Sequence, residues 1–154
     1  LMGAMGSASF DSEGVATAPR DIVKDGVLQG YVLGSYSARR LKMETTGNAG
    51  GVHNLTIDPG EQGLEEMIRS IEKGFLVTEL IGFGINGVTG DYSRGASGLW
   101  IENGEISYPV EEVTVAGNLK DIFRNIVAVG NDIDVRRSTR CGSILVDGLT
   151  IAGE

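Results

Sequence analysis

Gly90-Asp91-Tyr92-Ser93-Arg94-Gly95-Ala96-Ser97-Gly98-Leu99-Trp100-Ile101-Glu102-Asn103-Gly104-Glu105-Ile106 opens on small and polar residues, passes through Gly95 and Gly98, and ends in an apolar run broken by Asn103-Gly104. Asn-Gly between such runs is the strongest short-range hairpin signal, because a type I′ turn needs positive φ at both central residues. The glycine-rich half, Asp91–Gly98, reads as a loop whose backbone lies close against something, since no Cβ holds it away. A neighbouring strand, a partner chain and a ligand all fit that reading.

The same turn grammar recurs on either side. Ile22-Val23-Lys24 and Val27 to Leu33 flank Asp25-Gly26, and Ile144 to Ile151 surround Asp147-Gly148. Three such signals make antiparallel sheet the dominant element. The first two hairpins are each followed by a short segment of helical character and then by Gly-Asn, a weak internal duplication. Leu64, Met67, Ile68 and Ile71 fall at i, i+3, i+4 and i+7, with acids early, Arg69 and Lys73 late, and Gly74 as the stop; this predicts a helix. Leu119, Ile122, Phe123 and Ile126 repeat the spacing behind Asn118 as N-cap. Phe75 to Ile81 is an apolar run of strand length. Hairpin-built sheets with about two helices laid on them give an α+β fold.

The 154 residues are expected to form a single domain, 1–154, long enough to bury a core. Little order is expected of residues 1–9, whose first eight read either as native chain or as a cloning remnant. No apolar run approaches the ~18 residues of a membrane span. One cysteine and no basic-then-apolar leader predict a reducing, cytoplasmic setting. A net charge of −8 opposes contact with nucleic acid or an anionic membrane. The clusters Arg39/Arg40/Lys42 and Arg136/Arg137/Arg140 lack interleaved aromatics and read as solvated faces.

Few constellations carry chemistry. Gly82-Phe83-Gly84-Ile85-Asn86-Gly87 matches G-x-G-x-x-G after a strand, but Val88-Thr89-Gly90-Asp91 does not open the helix that a dinucleotide site requires, so a glycine-rich turn is expected. His53, the single histidine, would need Ser93 and Asp91 beside it to make a triad, and Ser93 lacks a strand-turn-helix elbow. Cys141 follows Arg140, whose charge favours the thiolate; one thiolate and one imidazole are too few for a zinc site. Asp11, Glu13, Asp91, Asp132 and Asp134 read as loop or turn-capping acids, with paired acid–base work as the alternative.

Long motifs add a resemblance. Phe10-Asp11-Ser12-Glu13-Gly14, Ile22-Val23-Lys24-Asp25-Gly26, Thr46-Gly47-Asn48-Ala49-Gly50-Gly51, Thr89 to Gly98, Glu102 to Ile106, Ala116-Gly117-Asn118-Leu119-Lys120-Asp121, Val129-Gly130-Asn131-Asp132 and Ile151-Ala152-Gly153 occur in that order. Together they resemble the C-terminal region of the TldD/PmbA family, in its PmbA-type (TldE-type) branch. The resemblance implies a component of a cytoplasmic metallopeptidase complex that cuts unfolded or peptide substrates. Relatives are tied to maturation of a microcin peptide, to antitoxin turnover and to modulation of DNA gyrase. In the catalytic TldD-type relatives a cysteine after Gly-Asn-Asp joins two histidines of an upstream helix on the metal. Cys141 follows Gly130-Asn131-Asp132 at a similar distance, while those histidines would precede residue 1 and PmbA-type members lack them.

Three readings follow. The first is a non-catalytic scaffold domain, holding no cofactor itself while zinc sits in the full complex. Asp91, Tyr92, Ser93, Arg94 and Gly95 then line the substrate chamber or the interface with a TldD-like subunit or a second copy. The second is a metal-dependent peptidase using Cys141 as ligand. The third is a binding module for gyrase or another partner.

Overall fold

The computed structural model describes residues 3–153. In chain order its elements are β1 (Val23–Lys24), β2 (Val27–Leu28), α1 (Ser35–Leu41), β3 (Leu55–Thr56), α2 (Leu64–Arg69), β4 (Lys73–Ile81), β5 (Asp91–Glu102), β6 (Glu105–Asn118), α3 (Leu119–Arg124), β7 (Ile126–Val129), β8 (Thr139–Arg140), β9 (Ile144–Val146) and β10 (Thr150–Ala152). Strand outweighs helix and most pairing is antiparallel, so the fold is α+β as the sequence predicts. Contacts divide the chain into two compact units. One takes residues up to Ile57 together with Asp134–Arg140; the other takes Asp58–Ile133 and the chain from Cys141 on.

The second unit is built on a four-stranded antiparallel sheet in the order β10-β6-β5-β4. Its spine is the β5–β6 hairpin. Asn103 and Gly104 both take positive φ, 53° and 79°, as a type I′ turn demands. The turn is also pinned from outside, because Asn103 N–H donates to the Glu72 carbonyl and Gly104 N–H to that of Ile71, at 2.7 and 2.8 Å. Ala96, Val113 and Val115 are buried at the centre, and Phe75, Tyr92, Val110, Leu149 and Ile151 pack on them. Ile101 is the largest fully enclosed side chain. Enclosing one aliphatic side chain of that size contributes about 1.5–3 kcal/mol.

The structure corrects four local expectations. Asp91–Gly98 is not a loop: it forms the first two-thirds of β5, paired to β6 on one edge and, on the other, to β4 from Gly95 on and to Ile85 at Tyr92. The close neighbour that its glycines imply is therefore a strand. A Cβ on Gly98 would stand 2.0 Å from the Leu76 carbonyl oxygen and 3.1 Å from the Thr78 nitrogen, where β4 bulges. Asp147-Gly148 does not close a hairpin. Only Gly148 takes positive φ, and the flanking strands leave for different partners, β9 to β7 and β10 to β6. The third correction concerns α2, which ends at Arg69, so Gly74 lies within β4 and is no helix stop. At its start the Glu66 carboxylate accepts from Gly63 N–H at 3.0 Å. α3 starts as expected, with the Asn118 side chain accepting from Lys120 N–H at 3.1 Å, but it ends at Arg124, so Ile126 opens β7 and Phe123 is exposed.

The first unit holds the short β1–β2 hairpin, whose Asp25 and Gly26 both take positive φ, along with α1 and the parallel pair β3–β8. Of its opening residues, Leu1 and Met2 lie outside those described. From Gly3 on the segment is hydrogen-bonded: Gly6 N–H donates to Asn54 Oδ1 at 3.0 Å, and Asn54 Nδ2 donates to Ser7 Oγ at 3.1 Å.

The constraint at Gly98 is testable. Gly98→Ala should cost about 1–3 kcal/mol, because the new methyl group meets backbone on an interior strand. Gly87→Ala, in an exposed turn with nothing within 4 Å of its Cβ, should stay within about 0.5 kcal/mol of the parent. Urea denaturation of both variants reads the difference; equal midpoints would refute the close-packing account.

Candidate functional site

Each unit ties a loop together with an acid. In the first, Asp11 is buried at 4 % exposure. Its Oδ1 accepts from the backbone N–H groups of Glu13 and Val15 at 2.9 and 3.0 Å, and its Oδ2 accepts from Ala49 N–H at 2.8 Å. Burial works to raise its pKa, but the three N–H groups, with His53 nearby, prevail and hold it below the usual carboxylate value. Two residues on, the Glu13 carboxylate accepts from both the hydroxyl and the backbone N–H of Ser35, the latter at 2.8 Å. The Ser35 hydroxyl, then its N–H, lower the Glu13 pKa. Asp134 is clamped by Arg136, with Oδ1 to Nε at 2.8 Å and Oδ2 to Nη2 at 3.1 Å, and falls to about 2.

In the second unit, Gly130-Asn131-Asp132 packs against Gly142-Ser143. Asp132 accepts from Ser143 twice, from its hydroxyl at 2.7 Å and from its N–H at 3.0 Å, and these bonds lower its pKa. Gly130 N–H donates to the Ser143 carbonyl at 2.6 Å. The two loops are so close that a Cβ on Gly142 would lie 2.0 Å from the Gly130 carbonyl oxygen. Asn131 closes the other side, its N–H donating to the Gln62 carbonyl at 2.9 Å and its Nδ2 to that of Glu61 at 2.8 Å.

Cys141 borders this knot, half-buried, with Sγ donating to the Gly142 carbonyl at 3.1 Å. Burial, and then the Asp132 carboxylate, push its pKa up. The expected activation by Arg140 is therefore corrected: burial and Asp132 set the shift, and the thiol form is favoured. Among the described residues no three His, Cys, Asp or Glu side chains cluster as metal donors do. A protonated thiol turned to a carbonyl, beside an acid already taken up by a serine, does not fit a metal on its own.

The Asp91–Gly95 segment is brought together as part of one strand. Asp91 Oδ2 accepts from the Thr89 hydroxyl at 2.6 Å. Tyr92 leans on the Ala96–Val113–Val115 core. Ser93 is exposed on β5 opposite Ala116, its N–H donating to the Gly84 carbonyl at 2.7 Å, and it lies within a strand, not on the strand-turn-helix elbow of a nucleophile. Arg94 Nη2 donates to the Leu80 carbonyl at 3.0 Å, and Gly95 lies between Ile81 and Thr114. His53 falls in the other unit, its Nε2 enclosed with no hydrogen-bond partner among the described residues. Gly82–Gly87 forms a turn, as expected, and opens no helix. Sequence reasoning missed Ser143; its one signal is a hydroxyl two residues beyond the cysteine that follows Gly-Asn-Asp.

The four lowered carboxylates ionise more readily in the folded chain than in the unfolded one. Their stabilisation is intact above the ordinary values of 3.8 for aspartate and 4.5 for Glu13, and is lost as pH falls through the lower folded values. The urea midpoint should hold between about pH 7 and pH 5 and fall below about pH 4. Asp11→Asn should lower the midpoint at neutral pH and flatten the acid limb. An unchanged limb would remove Asp11 from the account.

Comparison with known proteins places this geometry. Residues 1–153 match the family described as PmbA/TldA metallopeptidase C-terminal domain. The chain is 54% identical over 154 residues to metalloprotease PmbA of Escherichia coli O157:H7, covering 100% of this chain and 34% of that protein. It is 51% identical over 154 residues to the PmbA homolog of Haemophilus influenzae, covering 99% of this chain and 34% of the relative. A Bacteroides thetaiotaomicron crystal structure, described as a candidate modulator of DNA gyrase, superposes with a TM-score of 0.89 at 38% identity, covering 98% of this chain and 34% of that one. TldE of Thermococcus kodakarensis matches with a TM-score of 0.80 at 27% identity, over 95% of this chain and 36% of that one. The chain thus spans about a third of the length of the curated relatives it matches. No helix among the described residues is long and apolar enough to cross a membrane.

Proposed function

Because the chain belongs to the PmbA/TldD metallopeptidase family, as its C-terminal domain, we propose that it is the non-cutting scaffold of a PmbA-type subunit. In this reading it shapes the chamber that receives unfolded protein or peptide and the surface that meets a TldD-like subunit or a second copy, in the cytoplasm. Zinc belongs to the assembled complex, held there by donors that this chain does not supply.

The observation that carries the reading is the state of Cys141. Its Sγ turns to the Gly142 carbonyl, and no second and third donor stand beside it among the described residues. A metal-activated water needs three protein ligands and one open position. An apolar surface supports the interface role: Ile81, at the end of β4, and Ile85 are about half exposed, and Phe83 and Val88, in the connection that leads into Asp91–Gly95, are fully exposed. Contiguous exposed apolar side chains mark contact surfaces.

The test uses the full-length parent and this chain side by side. The chain alone should leave an unfolded probe such as reduced casein intact. Cys141→Ser in the parent should leave the metal bound by its complex with a TldD-like subunit, read by atomic emission, unchanged. Cleavage of casein by the chain alone, or metal lost on Cys141→Ser, would overturn the scaffold role.

A further inference from the structure

Arg94 lies in the unbroken register from Asp91 to Ala96, so Tyr92, Arg94 and Ala96 share one sheet face. That face is the packed one, with Ala96 and Val115 in the core and Arg94 directly opposite Val115. A guanidinium carries five N–H donors and a permanent charge. Here Nη2 donates to the Leu80 carbonyl at 3.0 Å, Nε is enclosed without an acceptor, and no acid pairs with the group among the described residues. A shortage of acids is not the cause: the sequence holds 21 acidic residues against 13 basic. Arg69 and Arg136, on exposed surface, each have a carboxylate, and Arg94, half-buried, has none. An enclosed donor without a partner is costly. Since the inner edge is closed, the outer Nη edge is where compensation can arrive. Leu80 and Ile85, which share this face through their pairing with Ala96 and Tyr92, are partly exposed, and an apolar collar strengthens a charge pair by excluding water.

We propose that Arg94 is the seat of a carboxylate brought by another polypeptide, received on the outer edge of its guanidinium. The carboxylate is either an acidic side chain of a docked subunit or the C-terminus of a bound peptide. The proposal rests on the reading that Asp91–Gly95 faces a partner or a substrate, and it is tested by binding, so its outcome is separate from any result on cleavage.

The experiment uses the full-length parent with Arg94→Gln and Arg94→Lys, each checked for an unchanged circular-dichroism spectrum and melting temperature. One arm measures assembly with a TldD-like subunit at low and high salt. The other measures binding of one decapeptide made with a free C-terminal carboxylate and with an amide. If the carboxylate is a subunit's, Arg94→Gln weakens assembly at least about tenfold at low salt, and the peptide forms stay indistinguishable. If it is the peptide's, the wild type prefers the free carboxylate at least about tenfold, Arg94→Gln abolishes the preference, and assembly is unchanged. Should Arg94→Gln fail to fold, Arg94→Lys decides, because it keeps the charge and loses the fork: a several-fold loss in one arm supports the seat. No change in either arm overturns it.

Discussion

Everything in the larger unit hangs on β5 being an interior strand whose neighbours come unusually close. Its backbone is paired along both edges, to β4 and to β6, over most of its twelve residues. Ala96 is fully enclosed, and at Gly98 the β4 backbone occupies the space that a side chain would need. A strand of large residues would push its neighbours away and leave voids in a core that is small to begin with. Small residues therefore do in the middle of this sheet what they more commonly do in loops. The consequence for function is spatial: Asp91, Tyr92, Ser93, Arg94 and Gly95 are held at fixed spacing on alternate faces, with no freedom to close over a ligand.

That same constraint explains what the sequence revealed and what it hid. The Asn103-Gly104 turn and α3 were legible because their determinants are local: two residues that tolerate positive φ, and an asparagine able to accept from the first turn. The family was legible through long motifs. Asp91–Gly98 was misread as a loop because glycine has two uses, conformational freedom and the absence of a Cβ, and only the position of another strand separates them. Asp147-Gly148 carried a hairpin signal that tertiary pairing overrode. The short strands on either side of it gain more by extending two existing pairs, β7–β9 and β6–β10, than by pairing with each other.

At the candidate site the residue types were visible and their engagements were not. Asp11 and Asp132 stood out as acids near glycines, but the bond that ties Asp11 to a second loop and the bonds that hold Asp132 reach 38 and 11 residues away, beyond any local pattern. Cys141 shows the same limit in the opposite sense. Its sequence neighbour is an arginine, yet its pKa follows burial and a carboxylate nine positions earlier. Adjacency in sequence does not set which charge a thiol feels, whereas the fold sets both the dielectric around it and the carboxylate beside it.

The direction of these shifts bears on chemistry. A carboxylate that shuttles protons near neutrality must have its pKa raised toward the working pH, by burial without partners or by a second acid. Asp11, Glu13, Asp132 and Asp134 are all moved the other way, because backbone N–H groups, serine hydroxyls or an arginine already occupy their lone pairs. A nucleophilic thiol must be lowered, and Cys141 is raised. Each displaced group is thus shifted away from the value that catalysis would ask of it and toward the value that fixes a loop in place. Those shifts give the acids the character of fastenings: hydrogen bonds to backbone N–H groups, to serines and to an arginine take up their lone pairs and tie Gly-Asn-Asp and its counterpart loops in place.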